Sequence, residues 1–305
     1  NAISLGECLK LISEETGIKQ TIIYEPARHG DLWYFVCNIT KAKEKLNSGD
    51  LKGAIESLIQ VVKKKPTDSQ ARIFLFELSL FSGEWERAER QLEAIGQMDV
   101  ESAFGAKVYQ QCIVAERKRS RYFSESLKPE FVTDVPEYIY GLLNANNYLR
   151  DGNSAKAREL LDEVEEKRPA FSCEINGQKR EDFRDYNDLT SCVMEVFVRD
   201  SYVWIPFEQI LAIEFAPLQS LRDLFWRQAR IVAVNGTSGE VFVPGIYSNS
   251  WQSQDTDIQL GRATDWKDAG NEVYIGQGQK IFFDGEPKPM FELERVVFEI
   301  EDVSN

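Results

Sequence analysis

The sequence of 305 residues predicts an α+β protein in which helical repeats are followed by a mainly antiparallel β domain. A segment that begins at Gly49-Asp50 recurs at Gly83-Glu84 and at Gly152-Asn153, with an alanine five residues after each glycine. From Glu195 onward the pattern changes to short runs of β-branched and aromatic residues separated by turn signals. The two halves also differ in charge, because most of the net negative charge lies in the second half.

The spacing of the glycines indicates the kind of helical repeat. The first two copies are 34 residues apart, and the third follows 69 residues later, one more than two such periods. A period of about 34 is typical of the tetratricopeptide repeat, a helix-turn-helix unit. The glycine is expected in the left-handed conformation that ends the first helix, and the alanine lets the two helices approach closely. Pro66 and Pro169 both lie 17 residues after their glycines, whereas the second copy has Val100 there.

Apolar residues at i, i+3 and i+4 define the helices of the first half. Thr40 and either Asp68 or Ser69 are suitable N-caps. We interpret the run from Lys63 to Lys65 as a helix C-terminus, where cations favour the helix dipole; a phosphate-binding patch is the alternative. The predicted helices are Lys41–Leu46, Leu51–Val62, Ala71–Phe81, Trp85–Ile95, Glu101–Phe123, Tyr138–Leu149 and Ala155–Glu166.

The most basic run of the chain lies at the end of the longest predicted helix, from Arg117 to Arg121. One interpretation is a solvated helix terminus. The other is a docking point, either for an acidic helix or for the acidic second half of this chain. The sequence leaves both open.

The second half is predicted to contain strands joined by tight turns. Asn235-Gly236 and Asp284-Gly285 are turn signals, and Leu218–Trp226 is expected to be a turn or short helix. A polar connector, Pro169–Asp185, is expected between the halves, so that the predicted domains are residues 1–40, 41–180 and 181–305. The predicted strands are Glu195–Val198, Tyr202–Pro206, Ile210–Phe215, Ala229–Val234, Glu240–Pro244, Val273–Ile275, Lys280–Phe283 and Phe291–Ile300.

Composition limits the classes of partner and the compartment. The formal net charge is −14, and from Glu181 onward there are 22 acidic and 10 basic residues. Such a surface disfavours nucleic acid and anionic lipid and suits basic or apolar protein surfaces. Five dispersed cysteines without a C-x-x-C pair indicate reduced thiols. With no apolar run of about 18 residues and no visible signal peptide, a cytoplasmic protein is expected.

The sequence predicts no active site, no cofactor and no metal centre. Its one histidine, His29, lies in a predicted loop, and no His/Cys cluster has the spacing of zinc ligands. Asp182, Asp185 and Asp188 lack the pattern of a calcium loop and are expected to cap the start of the second domain. Gly276–Gln279 lacks the strand-to-helix context of a phosphate loop, and a β-turn is expected there.

Two pieces of the first 46 residues stand out, the loop Glu25–Asp31 and the segment Asn38–Leu46. With these pieces the stretch resembles the C-terminal tail of nucleotide-sugar epimerases of the extended short-chain dehydrogenase type. The resemblance implies that Arg28 would contact a sugar nucleotide. The Gly-rich dinucleotide loop and the Tyr-x-x-x-Lys pair of those enzymes are absent from the sequence. We therefore interpret this stretch as a fused or borrowed fragment that cannot transfer hydride.

Five spaced pieces of the second half follow one another in a characteristic order. They are Tyr202-x-Trp204-x-Pro206, Leu221–Trp226, Pro244-x-x-Tyr247, Leu260-Gly261-Arg262-x-Thr264-x-Trp266 and Gly276-x-Gly278-Gln279. With these pieces, residues from about 46 to 300 resemble the ImpE/TagJ family, also called SciE-type, accessory proteins of bacterial type VI secretion. This resemblance implies a cytoplasmic, non-enzymatic protein. It also implies two protein partners: the N-terminal helix of the small sheath subunit and, in some systems, the AAA+ ATPase that disassembles the sheath.

Four residues are candidates for partner binding: Tyr202, Trp204, Arg222 and Trp226. Tryptophan and arginine are favoured interface anchors, and a groove rimmed or floored by them could hold an amphipathic helix. The alternative is that Trp204 and Trp226 lie in the β core while Arg222 and Asp223 form a local ion pair. For the whole chain, a generic repeat adaptor and a remnant sugar-nucleotide enzyme are the other functional hypotheses.

Overall fold

A computed structural model describes residues 40–98, 100–125 and 127–300. The predictions for His29, Arg28 and the epimerase-like segment up to residue 39 lie outside these described residues. Within them, helices occupy the first half and a mainly antiparallel β structure the second, so the predicted fold class is confirmed.

Seven helices of eight or more residues form the described first half. Gly49, Gly83 and Gly152 have φ of +79°, +68° and +76° at the predicted corners between paired helices. Asp50, Asp68 and Asn153 cap the following helices, because their side chains accept hydrogen bonds from backbone N–H groups of the first turn. The helices are α1 Thr40–Asn47, α2 Leu51–Lys64, α3 Ser69–Phe81, α4 Trp85–Gly96, α5 Val100–Ser124, α6 Ile139–Arg150 and α7 Ser154–Lys167.

A nine-stranded sheet forms the centre of the second half. Its spatial order is β1-β6-β5-β9-β8-β7-β14-β2-β3, and only the short β1–β6 pair among these described strands is parallel. The hairpin predicted at Asn235-Gly236 joins β8 to β9. The strands are β1 Glu130–Phe131, β2 Ser172–Ile175, β3 Gln178–Arg180, β5 Val193–Val198, β6 Ser201–Pro206, β7 Ile210–Phe215, β8 Trp226–Ala233, β9 Ser238–Pro244 and β14 Arg295–Glu299.

Two smaller sheets pack beside the large one. One pairs β10 Thr264–Asp268 with β11 Tyr274–Gly278, and the other contains β4 Arg184–Asp185, β12 Ile281–Phe283 and β13 Pro287–Pro289. A short helix, α8 Thr256–Gln259, precedes β10.

Two local predictions are wrong. The segment expected to be a polar connector, Pro169–Asp185, contains β2, β3 and β4, and β2 pairs with β14 from the far end of the chain. Gly276–Gln279 is not a β-turn, because Gly276 to Gly278 form the end of β11. A side chain at position 276 would overlap the ring of Tyr247. Close packing against this ring therefore explains why the residue is glycine.

The helical and β halves share a core. One cluster of buried residues contains Leu58 and Phe81 from the helices together with Trp204 and Trp226 from the sheet, and it fills the space between α5 and one face of the sheet. A second, separate cluster covers the opposite face of the sheet. The strands β5 and β6 are therefore buried on both faces, whereas β7 and β14 each have one buried and one more exposed face.

The corners of the helical repeats rest on the β half. A side chain at Gly83 would overlap the ring of Trp251, so the indole packs directly against this corner. The Thr256 hydroxyl donates a hydrogen bond to the carbonyl oxygen of Gly49 over 2.7 Å. These contacts orient the repeats relative to the sheet. Over residues 40–98, 100–125 and 127–300, no helix has the length and apolar character needed to cross a membrane.

Candidate functional site

Three of the four predicted anchor residues come together beneath α5. Tyr202, Trp204 and Trp226 are each at most 1% exposed. Tyr122 of α5 packs edge-on against Trp204 at 4.9 Å, and Tyr109 of the same helix stacks on Trp226 at 6.5 Å. Their rings therefore join the helical layer to the sheet.

The polar atoms of these rings bind two buried carboxylates. Tyr202 donates its hydroxyl hydrogen to Glu195 at 2.6 Å and accepts from the Trp204 indole N–H at 2.6 Å. The Trp226 indole N–H donates to Glu116 of α5 at 3.0 Å. The Tyr202 hydroxyl and both indole N–H groups are thus paired, as is usual for buried polar groups, whereas the buried hydroxyl of Tyr122 has no hydrogen-bond partner among the described residues.

Arg119 connects the two carboxylates. Its guanidinium donates to Glu195 at 2.8 and 3.1 Å, to Glu116 at 3.2 Å and to the Ile246 carbonyl oxygen at 3.0 Å. The bidentate contact joins α5 to β5. The basic run at the end of α5 therefore includes a side chain that docks on the acidic second half, which was one of the two interpretations of the sequence.

Lys280 extends this network away from α5. Its ammonium group contacts Glu195 at 2.8 Å and also pairs with Asp185, which is fully buried. Burial by itself would raise the pKa of Glu195, but the charges of Arg119 and Lys280 outweigh burial and hold that pKa well below its usual value. Glu195 therefore remains ionised, and we call Glu116, Arg119, Asp185, Glu195 and Lys280 the buried ionic network.

Arg222, the fourth predicted anchor, lies at the edge of the same interface. It donates to Glu77 of α3 at 2.8 Å and to the Tyr109 hydroxyl at 2.9 Å. The alternative interpretation, a local ion pair between Arg222 and Asp223, is wrong. The Asp223 carboxylate instead accepts hydrogen bonds from the backbone N–H groups of Gln219 and Ser220. Burial raises the pKa of Glu77 to about 7 despite the opposing charge of Arg222.

The three aspartates near residue 185 have separate roles. Asp182 binds Arg168 at the end of α7, and Asp188 accepts from the Tyr274 backbone N–H. Asp185 belongs to the buried ionic network and also accepts from the Tyr247 hydroxyl at 3.0 Å. Together they join the start of the β half to several distant segments and do more than cap its beginning.

In this structure, therefore, Tyr202, Trp204 and Trp226 are packing residues of the interface between helices and sheet, and they do not line an open groove. Sequence reasoning selected them as anchors because large aromatic residues serve interfaces within and between chains equally well. Arg222 alone among the four is partly accessible.

An open apolar groove lies at the end of the second face of the sheet. Its volume is about 480 Å³, within the usual range for binding pockets. Ile205, Ile231 and Val241 form its floor and belong to the core cluster of that face. Its rim contains the more exposed residues Val132, Asp134, Val198 and Val234. We call this the sheet groove; no motif in the sequence identified it.

A second apolar surface lies on α5. Val100 is 89% exposed and Phe104 is 77% exposed, and the two residues share one face of the helix because they are four apart. Met98, just before the helix, is also exposed. We call these three residues the α5 patch. A Cβ added at the neighbouring Gly105 would meet no atom within 4 Å, so the space beside the patch is open.

Metal-binding groups and reactive thiols are two further kinds of site that the described side chains could form. Across the parts of the chain that the structure describes, no group of three or more His, Cys, Asp or Glu residues could hold a metal ion. Cys112, Cys173 and Cys192 are buried free thiols. Burial raises the pKa of Cys173 to about 12 and that of Cys192 to about 11, so both thiols stay protonated and weakly nucleophilic at neutral pH.

Comparisons with known proteins agree with the resemblance seen in the sequence. Residues 177–297 match the family model described as ImpE protein, and residues 45–108 match a tetratricopeptide repeat model. The chain is 29% identical over 262 residues to the type VI secretion system accessory component TagJ of Pseudomonas aeruginosa, covering 86% of this chain and 92% of TagJ. The crystal structure of protein VPA1032 from Vibrio parahaemolyticus is similar, with a TM-score of 0.79 and 27% identity over 87% of this chain and 99% of that one. The resemblance to the ImpE/TagJ family is thereby confirmed.

Proposed function

We propose that this chain, in which residues 177–297 form an ImpE domain, is an accessory component of a bacterial type VI secretion system. The observation that carries the proposal is the similarity to TagJ, because it spans 86% of the chain and so includes both the repeats and the sheet. A likeness confined to the repeats would indicate only a general interaction scaffold.

In this proposal the protein is a cytoplasmic adaptor without catalytic activity that binds the N-terminal helix of the small sheath subunit. The architecture supports an adaptor because its two halves are fastened together by buried contacts. Arg119 joins α5 to β5, and Arg222 joins α3 to the segment before β8. A platform held in this way loses little conformational entropy when a partner binds.

A link between the sheath and its AAA+ disassembly ATPase is a finer part of the same proposal. An adaptor that holds two partners at once needs two separate surfaces. The sheet groove and the α5 patch are two such surfaces, and they lie on different elements of the described chain. The alternative, a generic repeat adaptor for some other peptide, would use the same surfaces without any secretion partner.

The test is a binding experiment in which a synthetic peptide of the sheath subunit's N-terminal helix is titrated into the full chain and the heat is measured by calorimetry. We expect a dissociation constant of about 1–50 µM, which is ordinary for a regulatory helix-groove contact. A peptide of the same composition in scrambled order is the control, because it removes the amphipathic pattern and keeps the charge. Equal binding of both peptides, or none at about 500 µM, would refute the proposal.

A second experiment separates the secretion adaptor from the generic one. The tagged chain is purified from its native cell, and bound proteins are identified with the secretion machinery intact and with the sheath subunit deleted. The proposal requires the sheath subunit among the bound proteins of the intact cell. Recovery of an unrelated protein at equal yield from both cells would support the generic adaptor instead.

A further inference from the structure

We propose that β9, beside the sheet groove, accepts an extended segment of another protein as an added antiparallel strand, and that this segment alternates aliphatic with polar residues. The partner is then recognised through its backbone and through the side chains on one of its faces. The inference goes beyond the proposed function, because it concerns a second kind of contact and does not require the helix of the sheath subunit.

The strand β9 extends beyond its neighbour on one side. It pairs with β8 over its whole length, whereas its pairing with β5 is confined to Phe197 and Phe242. The strand β5 ends at Val198, because its hairpin to β6 turns at Arg199, which has a φ of +56°. Among the described strands, residues Ser238–Val241 therefore have a neighbour on one side only, and we call them the open edge of β9.

The hydrogen-bond pattern shows which backbone groups of the open edge are free. The Ala233 N–H donates to the Thr237 carbonyl oxygen at 2.8 Å, where the ladder between β8 and β9 begins. Counted from Thr237, every second residue of β9 then bonds to β8, and Gly239 is one of these. Ser238 and Glu240 direct their N–H and C=O groups to the other side. Within residues 40–98, 100–125 and 127–300, no group forms a hydrogen bond with those four backbone groups.

The open edge lacks the usual protection of an edge strand. Natural edge strands are commonly short or contain lysine, proline or a bulge. The outermost strand β3 follows this rule, since it has three residues and includes Lys179 and Arg180. The open edge has an exposed backbone, a regular register with β8 and neither lysine nor proline. Its one charged side chain, that of Glu240, lies on the face away from the groove.

Gly239 is not explained by the packing of this chain. Its φ is not positive, and a Cβ added there would meet no described atom within 4 Å. Glycine weakens the interior of a strand and often marks a place where another backbone approaches closely. A strand bonded to Ser238 and Glu240 would bring such a backbone beside Gly239.

The two faces at the open edge determine the side chains of the added strand. Val241 belongs to the apolar cluster of the second face and lines the sheet groove, whereas Arg230 and Glu240 are exposed on the other face. Residues directly opposite one another in neighbouring strands point to the same face. Partner residues opposite Gly239 and Val241 therefore face the groove and are aliphatic. Those opposite Ser238 and Glu240 face solvent and are polar.

The sheet groove has room for the aliphatic side chains. Its volume is about 480 Å³, and Val198 and Val234 beside it are 36% and 45% exposed. Covering these side chains removes apolar surface from water, which favours binding. The loop after β1 also lines the groove and is held by the Gln209 side chain, which donates to the Asp134 carbonyl oxygen at 2.8 Å. The site is therefore formed before a partner arrives.

A second copy of this chain fits the open edge poorly. Its own β9 would be the added strand, and a symmetric antiparallel pair centred on Gly239 would place Gly236 of the copy opposite Phe242. Phe197 already occupies that position, and Gly236 lies in the turn that joins β8 to β9. A single extended segment carries no such turn and needs only the length of the four open residues.

The first test uses the full wild-type chain and a fluorescent probe peptide with the expected alternation. The probe is Lys-Val-Thr-Val-Thr-Val-Lys with blocked ends, and the control peptide has the same composition in the order Lys-Val-Val-Val-Thr-Thr-Lys. By anisotropy we expect a dissociation constant of about 50–500 µM for the probe and at least about fivefold weaker binding of the control. No saturation at about 2 mM, or equal binding of the two peptides, would overturn the proposal.

Backbone methylation tests whether the probe binds as a strand. In the expected register the threonine N–H groups face β9, and the valine N–H groups face away from it. Methylation of both threonine nitrogens removes the donors to Ser238 and Glu240 and should weaken binding at least about tenfold. Methylation of two valine nitrogens adds the same bulk and should weaken binding less than about threefold. Equal losses, or a larger loss for the valine peptide, would contradict an added antiparallel strand.

A matched pair of substitutions tests the protein side of the contact. Ser238→Pro removes an N–H that faces the added strand and none that bonds to β8, and proline is accepted at the first residue of a strand. Ser238→Ala keeps that N–H. We expect the proline variant to bind the probe at least about fivefold more weakly and the alanine variant to bind within about twofold of the wild type. Thermal melts followed by circular dichroism check the fold, and equal affinities of two folded variants would refute the contact.

Amide hydrogen exchange examines the open edge with and without the probe. In the free chain the N–H groups of Ser238 and Glu240 should exchange at least about tenfold faster than those of Gly239 and Val241, which bond to β8. Saturating probe should slow the first two. Slow exchange of both in a free monomer would show that another part of the same chain fills the edge, and in a free dimer that a second copy does. Either result would overturn the proposal.

Discussion

The two faces of the nine-stranded sheet are buried by different means. The face toward the helices carries the buried ionic network, and the Trp226 indole N–H donates to one of its carboxylates, that of Glu116. The opposite face is covered by an aliphatic and aromatic cluster that includes Phe183, Phe207 and Phe282. At its margin the buried Arg227 donates to carbonyl oxygens, and no carboxylate of residues 40–98, 100–125 and 127–300 forms an ion pair with it.

This difference shows how orientation and stability are separated in the fold. An apolar cluster tolerates small shifts, since dispersion and burial are non-directional. A guanidinium that donates to two carboxylates and a carbonyl accepts one geometry only. The ionic face therefore determines how the helical half sits on the sheet, while the apolar face supplies burial.

The largest expected effect comes from breaking the ionic face at its centre. Arg119→Ala leaves Glu116 and Glu195 buried with their main cation removed, so the free energy of unfolding should fall by about 3–5 kcal/mol. Denaturant unfolding measures the loss. Arg121→Ala is the control, because Arg121 pairs with Glu125 on the surface, and the change there should be below about 0.5 kcal/mol. Equal losses of unfolding free energy in the two variants would mean that the buried ionic network stabilises the fold no more than a surface ion pair does.

The pH dependence of stability tests the edge of the same face, where Glu77 binds Arg222. The pKa of Glu77 is raised by burial to about 7, above its unfolded value near 4.5. The folded state therefore binds the extra proton between those values, and this group makes stability fall as pH rises from about 4.5 to 7. Over this pH range the titration of Glu77 lowers the free energy of unfolding by roughly 1–3 kcal/mol.

The control for this titration is Glu77→Gln, which keeps the shape and removes the proton site. Urea unfolding at pH 5, 6 and 7 should show a smaller decline of stability in the variant than in the wild type. An identical decline in both proteins would contradict the assignment of the raised pKa to Glu77.

The smallest expected difference is between two ring substitutions, one on each face of the sheet. Trp226→Phe deprives the buried Glu116 carboxylate of its indole donor, and hydrogen bonds to charged groups are worth about 1.5–3 kcal/mol. Phe282→Leu on the opposite face removes ring contacts with Phe183 and Phe207 but no hydrogen bond, and it should destabilise by less than about 1.5 kcal/mol. A larger loss for Phe282→Leu, measured by thermal or denaturant unfolding, would reverse the ranking of the two faces.

Much of the helical half was predictable because its signals are local. Gly83 has a positive φ, which glycine adopts without strain. Asp68 caps the helix that begins at the next residue. The hairpin at Asn235-Gly236 is likewise indicated by the turn residues themselves. Such features depend on neighbours within a few residues, and their positions agree with the structure.

Other features had no local signal. The strand β2 is short, and its partner β14 lies more than a hundred residues away. The strand β3, Gln178–Arg180, is entirely polar and gives no alternation to detect. The sheet groove combines the loop after β1 with β5, β6, β8 and β9, so no continuous stretch of sequence describes it.

By itself the sequence determined the repeat period, the helix corners, the order of helices before strands and the acidic character of the second half, because these follow from backbone preference, periodicity and composition. Only the tertiary structure decided which polar and aromatic residues are inside. Arg119 belongs to a run that is otherwise partly or fully exposed, yet it is buried because Glu195 and Ile246, distant in sequence, surround it. Burial is a property of the whole packed chain, and it is what turned three predicted partner anchors into internal contacts.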